Sequence, residues 1–174
     1  MPLPPAHFLV GAAAAEAVRP RGWAPWRLWL AGGLLAVLPD LDLVVGELMG
    51  RGRDFHGVFS HTLVAVVLVT AVAGWWGGTR WAIVAGAAYG SHLILDLLQD
   101  RGTTSVQFLW PLSSQSAEAF YPLFPTVSFG RSQGYWEGVV ALFGPDRLEG
   151  FLIQTGMALG VFLAVVLVRR WVVG

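Results

Sequence analysis

Four histidines (His7, His56, His61 and His92) and the aspartates at Asp40, Asp42 and Asp96 are the side chains whose types and spacing could carry chemistry. A donor set of imidazole and carboxylate suits zinc first, with manganese or iron as further choices. The chain has no cysteine, so thiolate ligation, a disulfide and a cysteine nucleophile are all excluded. Asp96 follows His92 by four residues, and on a helix that spacing puts both groups on one face, where they could grip a common ion. His56 and His61 are five apart, which does not match one helical face, so His56 belongs on the preceding turn and folds back. Asp40 and Asp42 follow Pro39 and suit a distorted turn that points both carboxylates inward. Together these groups could serve two or more divalent ions and activate water for hydrolysis. The metal-free alternative for His92 and Asp96 is a buried hydrogen-bonded couple. Asp54 and Asp100 read as solvated charges or supporting partners, Arg53 and Arg101 as snorkelling side chains, and Ser60 and Thr62 as helix caps.

The elements that must position these residues are hydrophobic. Of 174 residues, 55% are hydrophobic and 13% charged, too few charges to coat a soluble globule, so the natural solvent is lipid. Apolar runs near 6–18, 26–48, 59–77, 81–98 and 150–171 predict an all-α integral membrane protein, a single domain over 1–174 built as a bundle of about five helices. The first helix is short, and Pro39 interrupts the second. Residues 99–149 hold four of the ten prolines and read as a long structured loop, a lid or docking surface before the last helix, with a short helix around Gly134 to Phe143. The small-residue pairs Gly86 with Gly90 and Gly156 with Gly160 would allow close helix approach. The first run imitates a signal peptide, yet no basic residue precedes it and its arginines follow at Arg19, Arg21 and Arg27, so it reads as a mature helix.

Every basic residue is arginine, and eleven basic residues balance eleven acidic ones, which suggests no nucleic-acid partner. If all five helices cross, Arg19, Arg21, Arg27, Arg80, Arg169 and Arg170 share one face, expected to be cytoplasmic. Measured from that face, His7 lies about 16 Å deep, Asp40 about 21 Å, His61 about 24 Å, and His92 and Asp96 about 16 and 22 Å. The candidate ligands of four helices thus meet in one layer toward the outer side. Intramembrane imidazoles and carboxylates are costly to bury and persist where they pair or bind ions.

The order of these motifs, PDLD at Pro39 to Asp42, then His56 and His61 before an apolar helix, then a helical His92 and Asp96, then Trp110 with Pro111, resembles the membrane-bound metal-dependent hydrolases of the YdjM type. The likeness covers residues 6–112, with His7 matching the N-terminal histidine of that family. It implies His7, Asp40, Asp42, His56, His61, His92 and Asp96 as the metal-binding set, with Asp40, Asp42, His61 and Asp96 also in the catalytic role. Two positions depart from the pattern, because Gly57 stands where arginine usually follows the first histidine and Thr62 where serine follows the second. A cationic substrate contact would then fall to Arg53 or Arg101. A distant likeness to zinc-dependent phospholipase C enzymes implies phosphoester chemistry, so the expected function is a hydrolase acting on a lipid or lipid-linked substrate. The cytoplasmic membrane of a prokaryote is the expected location and a homo-oligomer a possible assembly. The alternative is an ion- or proton-translocating protein that uses the same cluster.

Overall fold

The computed structural model describes residues 3–51, 56–98, 106–117, 123–125, 127, 137, 140 and 144–173. Helix α1 (Pro4–Ala17) starts on two prolines, whose fixed φ and missing N–H groups suit a first turn, and it stops before Pro20. Helix α2 (Pro25–Val37) also starts on a proline and gives way at Pro39 to a 3-10 turn, Leu38–Asp40, followed by α3 (Leu41–Leu48). A proline cannot donate to the α-helical ladder, so the break falls where the ladder loses its donor. The remaining helices are α4 (Leu63–Gly77), α5 (Thr79–Leu97) and α6 (Pro145–Val173).

The run at 26–48 is broken at Pro39 as expected, into two helices joined by the 3-10 turn. Two other boundaries differ from the sequence expectation. The run at 59–77 begins its helix at Leu63, because Thr62 accepts a hydrogen bond from the Ala65 N–H and caps the helix there. The last helix starts earlier, at Pro145. Of the short helix expected near Gly134 to Phe143, only Glu137 and Val140 are described, and both are helical. Arg53, Asp54, Asp100 and Arg101 lie outside the described residues.

Helix α1 is the hub and packs against α2, α5 and α6. At 14 residues it is about 21 Å long, too short to cross a hydrocarbon core of about 30 Å. Among the described residues, two segments are long and apolar enough to cross, Pro25–Leu48 and Arg147–Val173. Helix α4 buries none of its residues, and Leu63, Val64, Val67, Leu68 and Val72 are all exposed along it. Trp75, Trp76 and Trp171, at the ends of α4 and α6, are each at least 84% exposed. Such surface is unfavourable in water and matches a lipid boundary with aromatic ends.

Tight packing depends on small residues, though mostly not those expected. A Cβ at Gly86 would meet Thr70 Oγ1 at 2.8 Å, so that glycine does bring α4 and α5 together. Gly156 and Gly160 have nothing within 4 Å of a built Cβ. Helices α1 and α2 also come very close, where a Cβ at Gly11 would lie 2.2 Å from Ala36 Cβ and one at Gly32 2.5 Å from Ala15 Cβ.

At the arginine-bearing end, α1 is tied to α6 by a polar cluster absent from the sequence expectation. Glu16 is 1% exposed and accepts from Arg19 Nε at 3.0 Å and from Trp29 Nε1 at 2.8 Å. Arg169 of α6 places its Nε 3.5 Å from Glu16, and its other nitrogens donate to the carbonyls of Ala17 and Arg19. Truncating one member of a fully buried pair strands the other charge, at a cost of about 3–5 kcal/mol, and the partial exposure of Arg19 and Arg169 puts this site below that range. Glu16→Ala is therefore expected to lower the thermal unfolding midpoint in detergent clearly; an unchanged midpoint would show that Arg19 and Arg169 find other partners at no cost.

Candidate metal centre

The ends of α1, α2, α4 and α5 opposite the arginine cluster bring all seven predicted residues into one buried layer. His7 stands in the first turn of α1, Asp40 in the 3-10 turn, and Asp42 in the first turn of α3. His56 and His61 occupy the turn before α4, and His92 and Asp96 share one face of α5. At most 8% of any of these side chains is exposed. The rings of His7 and His92 stack with centroids 3.8 Å apart, and those of His61 and His92 meet at 70° with centroids 4.7 Å apart.

The centre of the layer is a set of four atoms. His61 Nε2 and His92 Nε2 are 2.9 Å apart. Asp96 Oδ2 lies 3.2 Å from His92 Nε2 and 3.6 Å from His61 Nε2; Asp40 Oδ1 lies 3.7 and 3.8 Å from the same two nitrogens. The other oxygen of Asp96 faces His7 Nε2 at 3.6 Å, so this carboxylate joins three histidines.

Hydrogen bonds outside this set decide what the nitrogens offer. His92 Nδ1 is 2.7 Å from the carbonyl oxygen of Ala36, which can only accept, so Nδ1 carries the proton and the Nε2 of a neutral ring presents a lone pair. That carbonyl is free because α2 ends one residue later, leaving its terminal acceptors without helical partners. Asp42 is engaged differently from Asp40. Its Oδ1 receives His56 Nδ1 at 2.8 Å, while its Oδ2 receives Ser60 Oγ at 2.6 Å and the Gly57 N–H at 3.3 Å and lies 3.3 Å from His61 Nδ1. Both oxygens are occupied by donors, which makes Asp42 the group that orients His56 and His61. Gly57 reaches it with φ at 86°, a conformation that favours glycine.

Whether the layer suits a cation can be tested on the unpaired atoms. Both nitrogens of His7 and both oxygens of Asp40 are buried without a hydrogen-bond partner. The two Nε2 atoms at 2.9 Å either share a proton in an N–H···N hydrogen bond or, with both unprotonated, repel unless a positive charge stands between them. Ligand atoms about 2.0–2.1 Å from a tetrahedral ion lie roughly 3.3 Å from each other, and the five separations above straddle that value. The residues fit a divalent cation. Two separate groups can each hold one, His7 with His92 and Asp96, and Asp40 with His56 and His61.

Ser60, expected as a cap, instead bridges Asp42 and His61, while Thr62 does the capping. Tyr89 was not anticipated; its hydroxyl donates to the Ser60 carbonyl at 2.7 Å. Its position three residues before His92 on the same helix face was the available signal. The His56–Thr62 turn is braced from the loop after α5. Gln107 N–H donates to the Gly57 carbonyl, the Leu63 N–H to the Phe108 carbonyl, and the Trp110 ring packs edge-on against Phe59 at 4.7 Å. Trp110 of the Trp-Pro pair noted in the sequence thus supports the histidine turn.

No curated protein and no solved structure matches the chain. The helices with lipid-type surfaces, the broken second span and the His and Asp layer agree with one family model, which matches residues 1–172: this chain is a membrane protein and belongs to the YdjM inner membrane protein family.

Proposed function

We propose that this protein is a membrane-embedded metal-dependent hydrolase that cleaves a phosphoester of a lipid or lipid-like substrate. The observation carrying this reading is the pair of Nε2 atoms 2.9 Å apart, flanked by two buried carboxylates whose charge needs a cation. Asp40 with His56 and His61 would hold one ion and His7 with His92 and Asp96 a second, the two groups meeting at the His61 and His92 pair. Zinc is the preferred metal for this donor set, ahead of manganese and iron. When bound, such an ion supplies Lewis-acid chemistry, acidifying water and offsetting charge that develops on phosphoryl and leaving oxygens. The chain's own groups do the rest. Asp42 holds His56 and His61 in orientation, and the second oxygen of Asp40, free of any hydrogen-bond partner, accepts the proton that water gives up.

The arginine-bearing end is assigned to the cytoplasm, which puts the layer toward the outer side of the membrane. A site bounded by lipid-facing helices suits a substrate that itself resides in lipid, and the loop after α5 that braces the histidine turn is the natural docking surface.

Metal analysis of protein purified in detergent, followed by hydrolysis assays, tests the reading. At least one equivalent of zinc, manganese or iron is expected, with phosphodiester or phospholipid cleavage that a chelator abolishes and zinc restores. Cleavage indifferent to chelation would defeat it. Metal-dependent ion flux across vesicles without hydrolysis would replace it with translocation.

A further inference from the structure

We propose that Ser60 is a positioning residue of the metal centre, and that its hydroxyl determines which nitrogen of His61 faces the cluster. The inference rests on the metal reading above and concerns a side chain outside the predicted ligand set. Ser60 Oγ has one proton to give. It stands 2.6 Å from Asp42 Oδ2 and 2.9 Å from His61 Nδ1. A carboxylate can only accept, so the proton goes to Asp42, and toward His61 the same oxygen must accept. His61 Nδ1 is then the donor, and the Nε2 of the neutral ring is left with a lone pair directed at the His92 side of the layer. Asp42 alone would hold Nδ1 more loosely, since its own separation of 3.3 Å lies beyond the usual range for such a bond.

The hydroxyl is itself held. Tyr89 donates to the Ser60 carbonyl from the helix face that carries His92, so one element fixes both His92 and the backbone beside His61. The neighbouring Thr62 cap and the Phe59 contact with Trp110 immobilise the turn on either side. Chains of this kind, in which the far nitrogen of a ligating histidine is fixed through a hydrogen bond, commonly raise metal affinity by about 10–100-fold.

Zinc affinity of the full chain in detergent, measured against a competing chelator, tests the proposal without any need for activity. Ser60→Ala is expected to bind zinc about 10–100-fold more weakly. Ser60→Thr, whose hydroxyl both donates and accepts, is expected to recover near wild-type affinity. The metal-free Tm of Ser60→Ala should fall only by what the loss of one hydrogen bond to Asp42 entails, while the zinc-induced rise in Tm shrinks as well. Unchanged affinity in Ser60→Ala, or no recovery in Ser60→Thr, overturns the proposal and leaves the metal reading standing. A fall in metal-free Tm that accounts for the lost affinity makes Ser60 purely structural and also overturns it. Wild-type protein that takes up no zinc overturns this proposal and the metal reading together.

Discussion

Asp96→Asn is expected to remove bound metal and hydrolysis together, yet to leave the metal-free protein at least as resistant to heat as wild type. Asp96 lies within 3.6 Å of His7, His61 and His92. No other carboxylate in the layer approaches three histidines so closely among the described residues. An amide of the same size keeps the packing but loses the charge, and its NH2 group cannot ligate through a lone pair. The affinity loss should exceed the 10–100-fold cost that is typical of a supporting partner, so more than about 100-fold. Stability should move the other way, because burying a carboxylate is costly and the ion that balances it is absent from the metal-free form. Elemental analysis of the purified variant and thermal unfolding after chelation give the two readouts. A variant that retains metal and turnover would remove Asp96 from the ligand set, and a sharply lower metal-free midpoint would make it a structural ion-pair partner.

Gly32→Leu should be the most damaging substitution outside the metal layer. Even a Cβ there would stand 2.5 Å from Ala15 Cβ and 2.7 Å from the Gly11 carbonyl oxygen, and a backbone atom cannot rotate away. The helices must separate. Overpacking of a core costs about 1–3 kcal/mol, and a rigid backbone contact puts this site at the upper end, roughly 3 kcal/mol or more. For a chain of this length that corresponds to a fall in Tm of about 6–12 °C. The consequence reaches the metal layer, because α1 carries His7 and α2 carries both Asp40's turn and the Ala36 carbonyl that orients His92. Loss of metal should therefore accompany loss of stability. Gly156→Leu supplies the control, since nothing lies within 4 Å of a Cβ at that position. Equal melting of the two variants would mean that the α1 and α2 crossing is less tight than described.

The two variants separate two kinds of demand on the same layer. On the proposed reading, Asp96 is a group whose burial costs stability and is kept for its chemistry. Gly32 has no chemistry and exists so that two backbones can come close enough for the chemistry to assemble. A protein whose α1 is too short to span the membrane depends on this closeness, because lipid tails give helices no hydrophobic reason to associate.

Much of this was legible in the order of residues. Apolar runs give the main hydrophobic helices and their approximate ends, and a rise of about 1.5 Å per residue carries His7, Asp40, His61, His92 and Asp96 to similar depth without reference to any contact. The spacing of His92 and Asp96 specifies a shared face, and Pro39 marks the break in the second span. Those features are local, and residue type and periodicity determine them.

What the tertiary structure alone decided is pairwise. Nothing in the sequence distinguishes Asp40, with two unpartnered oxygens, from Asp42, whose oxygens are taken by donors from a turn fourteen to eighteen positions away. The α1 and α2 glycines make the tight crossing while the more conspicuous pair on α6 faces open space. The proton on His92 Nδ1 is dictated by the carbonyl of an alanine, a residue without any distinguishing side chain. The physical reason is the same in each case: a hydrogen bond or a close approach is a property of two groups from different elements, and it comes into being when their helices have docked.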